Sequence, residues 1–238
     1  MIKHNAKELD DFSKVHNTDD DFDKVIAHYS GKIIIPEIGM GEILEAGCAT
    51  GVMTKMILEK IPKLSIIEGA DHYAKMVKER FGDRVAMHNC LFEDFSEKDT
   101  YSEVILANVL HHFKEPVELL KHISSWIKKD GTLHITVPNM TSFHRQLGVA
   151  MNVVKDPYET SARNIYGSQF GRYDKALFIK DLETAGFSVQ ECYGFFFKPF
   201  PHEIMHRIDL PSDILDGLFE IGKKYPDLAC QLYIKAKK

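Results

Sequence analysis

The chain has 238 residues, 44% of them hydrophobic, enough for one α/β domain with an added element or for two small domains. Its 30 basic and 35 acidic residues leave a net charge of −5, so there is no basic field to draw it to nucleic acid or to an anionic membrane. No apolar run reaches the ~18 residues of a membrane span, and the opening MIKHNAKELDDF lacks the apolar core of a signal peptide, which leaves the cytoplasm as the default location.

Residues 1–30 are polar and acid-rich. Within them Phe22, Val25, Ile26 and Tyr29 recur at helical spacing and predict a short helix from about Asp20 to Tyr29, an N-terminal helical cap ahead of the first strand. A strand is expected over Glu42–Glu45, a helix over Val52–Glu59 limited by Pro62, and a second strand over Leu64–Glu68. A helix over His72–Phe81, a third strand over Val85–His88 and an apolar fourth strand, Val104–Ala107, follow. The next helix, Pro116–Lys129, carries Val117, Leu120, Ile123, Trp126 and Ile127 on one face; Asp130-Gly131 breaks it, and LHITV forms a fifth strand. β-branched runs alternating with amphipathic helices call for a mainly parallel sheet covered on both faces. From Pro138 the rhythm changes, and residues 138–173 read as an insertion with one helix, Ser142–Val153. A helix over Lys175–Ala185, a strand over Phe187–Cys192, a helix over Ser212–Lys223 and a strand over Ala229–Ile234 complete a single domain spanning residues 31–238. In YGFFFKPF, Tyr193, Phe195 and Phe197 are expected to fill one side of the sheet and Phe196 the other.

Chemistry concentrates in ILEAGCATG, Ile43 to Gly51. Gly47 and Gly51 bracket a small-residue turn, and the next strand ends at Glu68 in SIIEG. Strand, glycine turn, helix, strand, acid is the arrangement that holds an adenosine-containing cofactor. Glycines admit backbone close to the ligand, and a carboxylate offers two acceptors to two vicinal ribose hydroxyls. A nicotinamide site carries G-x-G-x-x-G directly off the strand. Here Glu45 precedes the first glycine, where a pyrophosphate would meet it without a counterion, while a cationic amino group would suit it.

The segment resembles the cofactor loop of class I S-adenosylmethionine-dependent methyltransferases, acid-x-G-x-G-x-G. Ala49 replaces the middle glycine, a departure that excludes φ > 0 there if the turn needs it. The resemblance covers residues 40–137 well and the C-terminal strands loosely. It implies a Rossmann-like α/β fold, a seven-stranded, mostly parallel sheet with an antiparallel last strand, plus a helical lid in the insertion. It also implies S-adenosyl-L-methionine as cofactor and S-adenosyl-L-homocysteine as product. Glu45, Gly47, Cys48, Ala49 and Gly51 would surround the methionine end, and Glu68 and Gly69 the ribose. In HNCLFEDFS, Leu91 takes the family's usual acidic position. That implies adenine held by backbone donors around Leu91 and Phe92, with Glu93 and Asp94 as nearby acids. In ANVLHHF, Asn108 matches the strand tip facing the sulfonium, and His111 and His112 match a histidine pair of small-molecule members. One of the two is expected on the substrate side, His112 ahead of His111, and the other beneath the helix.

The insertion falls where this family carries substrate-binding elements. It supplies Asn139, His144, Arg145, Arg163, Asn164, Tyr166, Arg172 and Tyr173. Asn139, Arg145, Tyr166 and Arg172, with Tyr29 from a helix across the cleft, are the substrate-side candidates; His111, His112 and His144 are the candidate bases. Arginine forks lean toward a carboxylate- or phosphate-bearing acceptor, with surface pairing to neighbouring acids as the alternative. The four cysteines, Cys48, Cys90, Cys192 and Cys230, stand far apart, and no metal-ligand spacing occurs, so a metal-free reaction in a reducing compartment is expected. The expected function is methyl transfer to an oxygen or nitrogen of a small molecule. Methylation of a protein or RNA, and a non-catalytic cofactor-binding interaction module, are the alternatives. A homodimer is left open.

Overall fold

The computed structural model describes residues 4–160 and 169–238. Seven strands form one sheet: β1 (Ile43–Ala46), β2 (Leu64–Glu68), β3 (Val85–Asn89), β4 (Tyr101–Ala107), β5 (Ile127–Pro138), β6 (Ser188–Phe195) and β7 (Gln231–Lys237). Their order is β3-β2-β1-β4-β5-β7-β6. Strand β7 is antiparallel to both its neighbours, and the other pairs are parallel. The order reverses between β1 and β4, so their carboxyl ends open a crevice of the kind where α/β sheets bind ligands.

The helices among the described residues are α1 (Ala6–Val15), α2 (Asp23–Ile34), α3 (Val52–Lys60), α4 (Asp71–Phe81), α5 (Pro116–Trp126), α6 (Phe143–Ala150), α7 (Lys175–Thr184), α8 (His202–Ile208) and α9 (Ser212–Lys224). Alternate strand residues point to opposite faces. Leu44, Val104 and Leu106 pack with Trp126 of α5 and Phe178 of α7. Ile43 and Ile105 pack with Ile34 of α2, Ile57 of α3 and Phe219 of α9. The sheet is therefore covered on both faces, as its apolar strands require.

Three local expectations change. Helix α5 stops at Trp126 because Ile127 already pairs with Tyr101; β5 then bulges through Asp130 (φ 63°) before Thr132 pairs with Glu103. The aromatic alternation ends at Phe196, whose φ of 60° turns the chain out of the sheet, so Phe195 and Phe196 are both fully buried. Gly222 of α9 lies against the Phe196 backbone with no room for a Cβ. Third, the chain begins with α1 and the second helix runs over Asp23–Ile34, where one helix over Asp20–Tyr29 was expected.

Candidate functional site

The turn after β1 takes three residues into the left-handed region: Gly47 (φ 82°), Ala49 (φ 44°) and Gly51 (φ 87°). The turn does need positive φ in its middle, and Ala49 adopts it at a cost of about 1–2 kcal/mol. Glu68 offsets that strain. Its Oε2 accepts from the Cys48 N–H at 3.1 Å and the Ala49 N–H at 3.2 Å, and its Oε1 from the Ala70 N–H at 2.9 Å. Burial pushes the Glu68 carboxyl up, against these three backbone donors. A Cβ on Gly47 would stand 2.8 Å from Val109 Cγ2, so the close approach here is set by the β4 loop. Thr50 Oγ1, buried in the same turn, has no partner among the described residues.

Glu45 is 2% exposed and accepts from Thr54 Oγ1 of α3 at 2.6 Å. Burial pushes its carboxyl up to about 8 despite that bond. The group expected to meet an amino group is thus inside the protein and mostly protonated at pH 7. An arriving ammonium would favour its ionised form.

Past the end of β2, a Cβ on Gly69 would come within 3.2 Å of Leu91 Cδ2 and 3.3 Å of Leu9 Cδ1. Leu9 belongs to α1, which lies over the β2–α4 turn. Asp10 Oδ1 accepts from the His72 N–H at 2.9 Å, and the Tyr73 hydroxyl donates to the His16 carbonyl at 2.6 Å. Arg80 of α4 donates to the Thr50 carbonyl and pairs with Asp19, tying the turn to the cap. At the far end His4 bonds Glu93 through Nδ1 at 2.8 Å and through its N–H at 2.9 Å, with Nε2 3.3 Å from the His112 carbonyl. Glu93, considered as an adenine partner, is therefore engaged by His4. Phe92 is a core residue, stacked on Phe113 at 5.8 Å and edge-on to Trp126, with its ring near Gly47.

Tyr29 is 3% exposed, packs on Phe196 and Phe219, and donates to Asp216 Oδ1 at 2.9 Å, so it joins α2 to α9. The sequence signal for α1 was present: Asn5 caps the helix, accepting from Lys7 and Glu8 N–H, with Glu8 in the capping-box position.

Asn108 ends β4 in the left-handed region (φ 57°), its N–H bonded to the Thr136 carbonyl at 3.0 Å. Such strain on a non-glycine residue is typical of functional positions. His111 follows, 3% exposed; its carbonyl accepts the Phe170 and Gly171 N–H groups at 2.8 Å each. Its Nδ1 is buried without a partner among the described residues, and burial holds the ring well below its ordinary value, hence neutral. The His112 ring lies 4.2 Å from it. His144 Nδ1 is 3.1 Å from Ser142 Oγ, and burial lowers its value too.

The insertion residues are mostly committed to holding it in place. Asn139 is 2% exposed, donates to the Asp227 and Ala229 carbonyls and accepts from Thr141, so its side chain is scaffold. Arg145 donates to the Pro157 and Glu159 carbonyls, and Arg172 to Thr160 Oγ1. Arg163, Asn164 and Tyr166 lie outside the described residues. Sequence spacing carried no metal signature, yet the fold gathers His16, Asp21 and Asp23 beside the cap. No helix among the described residues is long and apolar enough to cross a membrane.

A family described as a methyltransferase domain matches residues 5–191. An uncharacterised protein of Synechococcus is 29% identical over 110 residues, 43% of this chain. Nodulation protein S of Bradyrhizobium diazoefficiens is 24% identical over 95 residues, 38% of this chain. These matches span 26% and 46% of the two relatives' own lengths. Among solved structures, the 1,6-didemethyltoxoflavin-N1-methyltransferase of Burkholderia thailandensis, with bound S-adenosylhomocysteine, superposes with a TM-score of 0.60 at 14% identity, covering 91% of this chain and 79% of that one. The chain belongs to the methyltransferase-domain family.

Proposed function

We propose that the protein transfers a methyl group from S-adenosyl-L-methionine to an oxygen or nitrogen of a small molecule. The observation that carries this reading is the strained turn at Gly47, Ala49 and Gly51 held by the Glu68 carboxylate. The residues fit the cofactor: an unpartnered Thr50 hydroxyl in the turn, and a buried acid whose natural counterion is an ammonium. Bound there, the cofactor supplies an electrophilic methyl on a cationic sulfur and leaves as S-adenosyl-L-homocysteine.

The chain's own residues then do three things. Glu68 accepts from the ribose hydroxyls, donors of the same kind as the N–H groups it now takes. Leu91 and Leu9 wall the adenosine side and exclude water. Asn108 and the following loop fix the acceptor's approach; such alignment is worth up to ~7–11 kcal/mol in favourable cases. His111 and His112 are the base candidates for a hydroxyl acceptor, His112 ahead, because the burial that keeps the His111 ring neutral also opposes the imidazolium a base becomes. Arg145 and Arg172 are bonded within the insertion and lend no support to an anionic acceptor. Net charge of −5 argues against RNA as the acceptor.

The test is calorimetry with S-adenosyl-L-homocysteine, followed by labelled methyl transfer against a metabolite panel. Saturable one-to-one binding with transfer to a small molecule is expected. Absence of binding would overturn the reading at its first step.

A further inference from the structure

The polar run HNTDDDFD, from His16 to Asp23, has no part in the methyl-transfer reading. It connects α1 to α2, and the fold folds it back on itself. His16 offers a nitrogen and Asp21 and Asp23 one oxygen each, all within 4.8 Å of one another. His16 Nε2 lies 3.5 Å from Asp23 Oδ2. Donors on one first-row cation, each at about 2.1 Å, stand roughly 3.4 Å apart, so this separation already matches.

The donors are held from outside. His202 of α8, its side chain 7% exposed, places Nε2 2.8 Å from Asp21 Oδ1 and 3.5 Å from Asp23 Oδ1. A histidine gripping both carboxylates is the outer support that metal ligands usually have. Phe12 stacks on the His16 ring at 5.0 Å, and Phe22 meets the His202 ring edge-on at 5.3 Å, so both imidazoles have apolar walls. The His16 side chain is 19% exposed and that of Asp23 34%, which leaves a solvent route. His16 and Asp21 line a groove of about 500 Å³ with Asn17, Asp20, His206 and Arg207. Two carboxylates brought together repel, and a divalent cation converts that repulsion into attraction.

We propose that His16, Asp21 and Asp23 form a binding site for a first-row divalent cation, Zn²⁺ or Mn²⁺, supported by His202. The nitrogen donor favours such cations over Mg²⁺, which prefers all-oxygen shells. The site joins the end of α1 to the start of α2 and to α8. It thereby clasps the cap whose Leu9 covers Gly69.

The test uses the full chain, freed of any histidine tag and stripped with chelator, titrated separately with Zn²⁺, Mn²⁺ and Mg²⁺. Binding of one Zn²⁺ or Mn²⁺ per chain is expected, with Tm rising roughly 5–10 °C at a hundredfold excess over Kd. The double variant His16→Gln, Asp23→Asn should lose both effects, and His202→Gln should weaken binding by about 10–100-fold. No saturable binding to the wild-type chain, Mg²⁺ preferred over Zn²⁺ and Mn²⁺, or equal binding by the double variant would each overturn the site. The wild-type titrations decide the matter even if a variant fails to fold.

Discussion

Ala49 is where the cofactor turn is least comfortable. Its φ of 44° costs an alanine about 1–2 kcal/mol, against the ~0.5–1 kcal/mol of extra chain entropy a glycine gives up. Ala49→Gly is therefore expected to raise Tm by about 1–4 °C with cofactor affinity retained; a fall in the melting scan would show that the turn is not strained. Glu68→Gln should act twice. It removes a charged acceptor, worth ~1.5–3 kcal/mol per bond, so calorimetry should show at least tenfold weaker cofactor binding. It also turns an amide NH₂ toward the Cys48, Ala49 or Ala70 donors, so the cofactor-free Tm should drop as well. Unchanged affinity would remove the ribose role. For the histidines, His112→Asn is expected to reduce turnover more than His111→Asn, by ~10²–10⁴-fold if the acceptor is a hydroxyl. The reverse order in steady-state kinetics would move the role to His111. The turn and its acid were legible because Gly47, Gly51 and Glu68 sit at short, fixed offsets from strands. The protonation of Glu45 and the spent hydrogen bonds of Asn139 and Arg145 were not, since they come from α3, from the β7 approach and from the insertion's own carbonyls.

At the scale of elements, the strands and the helices packed on them were readable to within a few residues, Leu64–Glu68 at both ends, except that β5 begins at Ile127, well ahead of the expected LHITV. What escaped was α1, whose mostly polar sequence hides its amphipathic role, and α8, a helix of 7 residues. The first 30 residues thus do more than one helix could, and the cap has its own latch. Glu93 holds His4 above its ordinary value through their hydrogen bond. Despite burial, His4 holds Glu93 below its own. A raised histidine contributes fully below its unfolded value of 6.5 and loses that contribution as pH rises through the raised value. The segment before Val15 is accordingly expected to be cut faster by protease at pH 8.5 than at pH 6, after correction for protease activity. Glu93→Gln should abolish most of that difference. An equal pH difference in the variant would mean that His4 does not latch the cap.

For the molecule as a whole, the parallel sheet with helices on both faces follows from apolar strands that tolerate no solvent. That the last strand runs antiparallel came from family resemblance, because periodicity specifies strands and not their direction; its place between β5 and β6 is seen only in the fold. The cost of the site is also borne by the whole fold, through Glu45. Its carboxyl is held at about 8 by burial, against an ordinary 4.5. Between those values the native state binds a proton that the unfolded chain has released. The stabilisation from this proton is complete below 4.5 and is lost as pH rises through about 8, at roughly 1.4 kcal/mol per unit. Cofactor-free wild type should therefore lose stability relative to Glu45→Gln between pH 6 and pH 8, in urea denaturation of both proteins. An amino-bearing cofactor that ionises Glu45 on binding must also expel its proton. Calorimetry at pH 7 in two buffers of different ionisation enthalpy should then show proton release for wild type and little for Glu45→Gln. Parallel stability curves together with equal proton release would mean that Glu45 is already ionised in the free protein. Its buried charge would then need a partner other than the Thr54 hydroxyl.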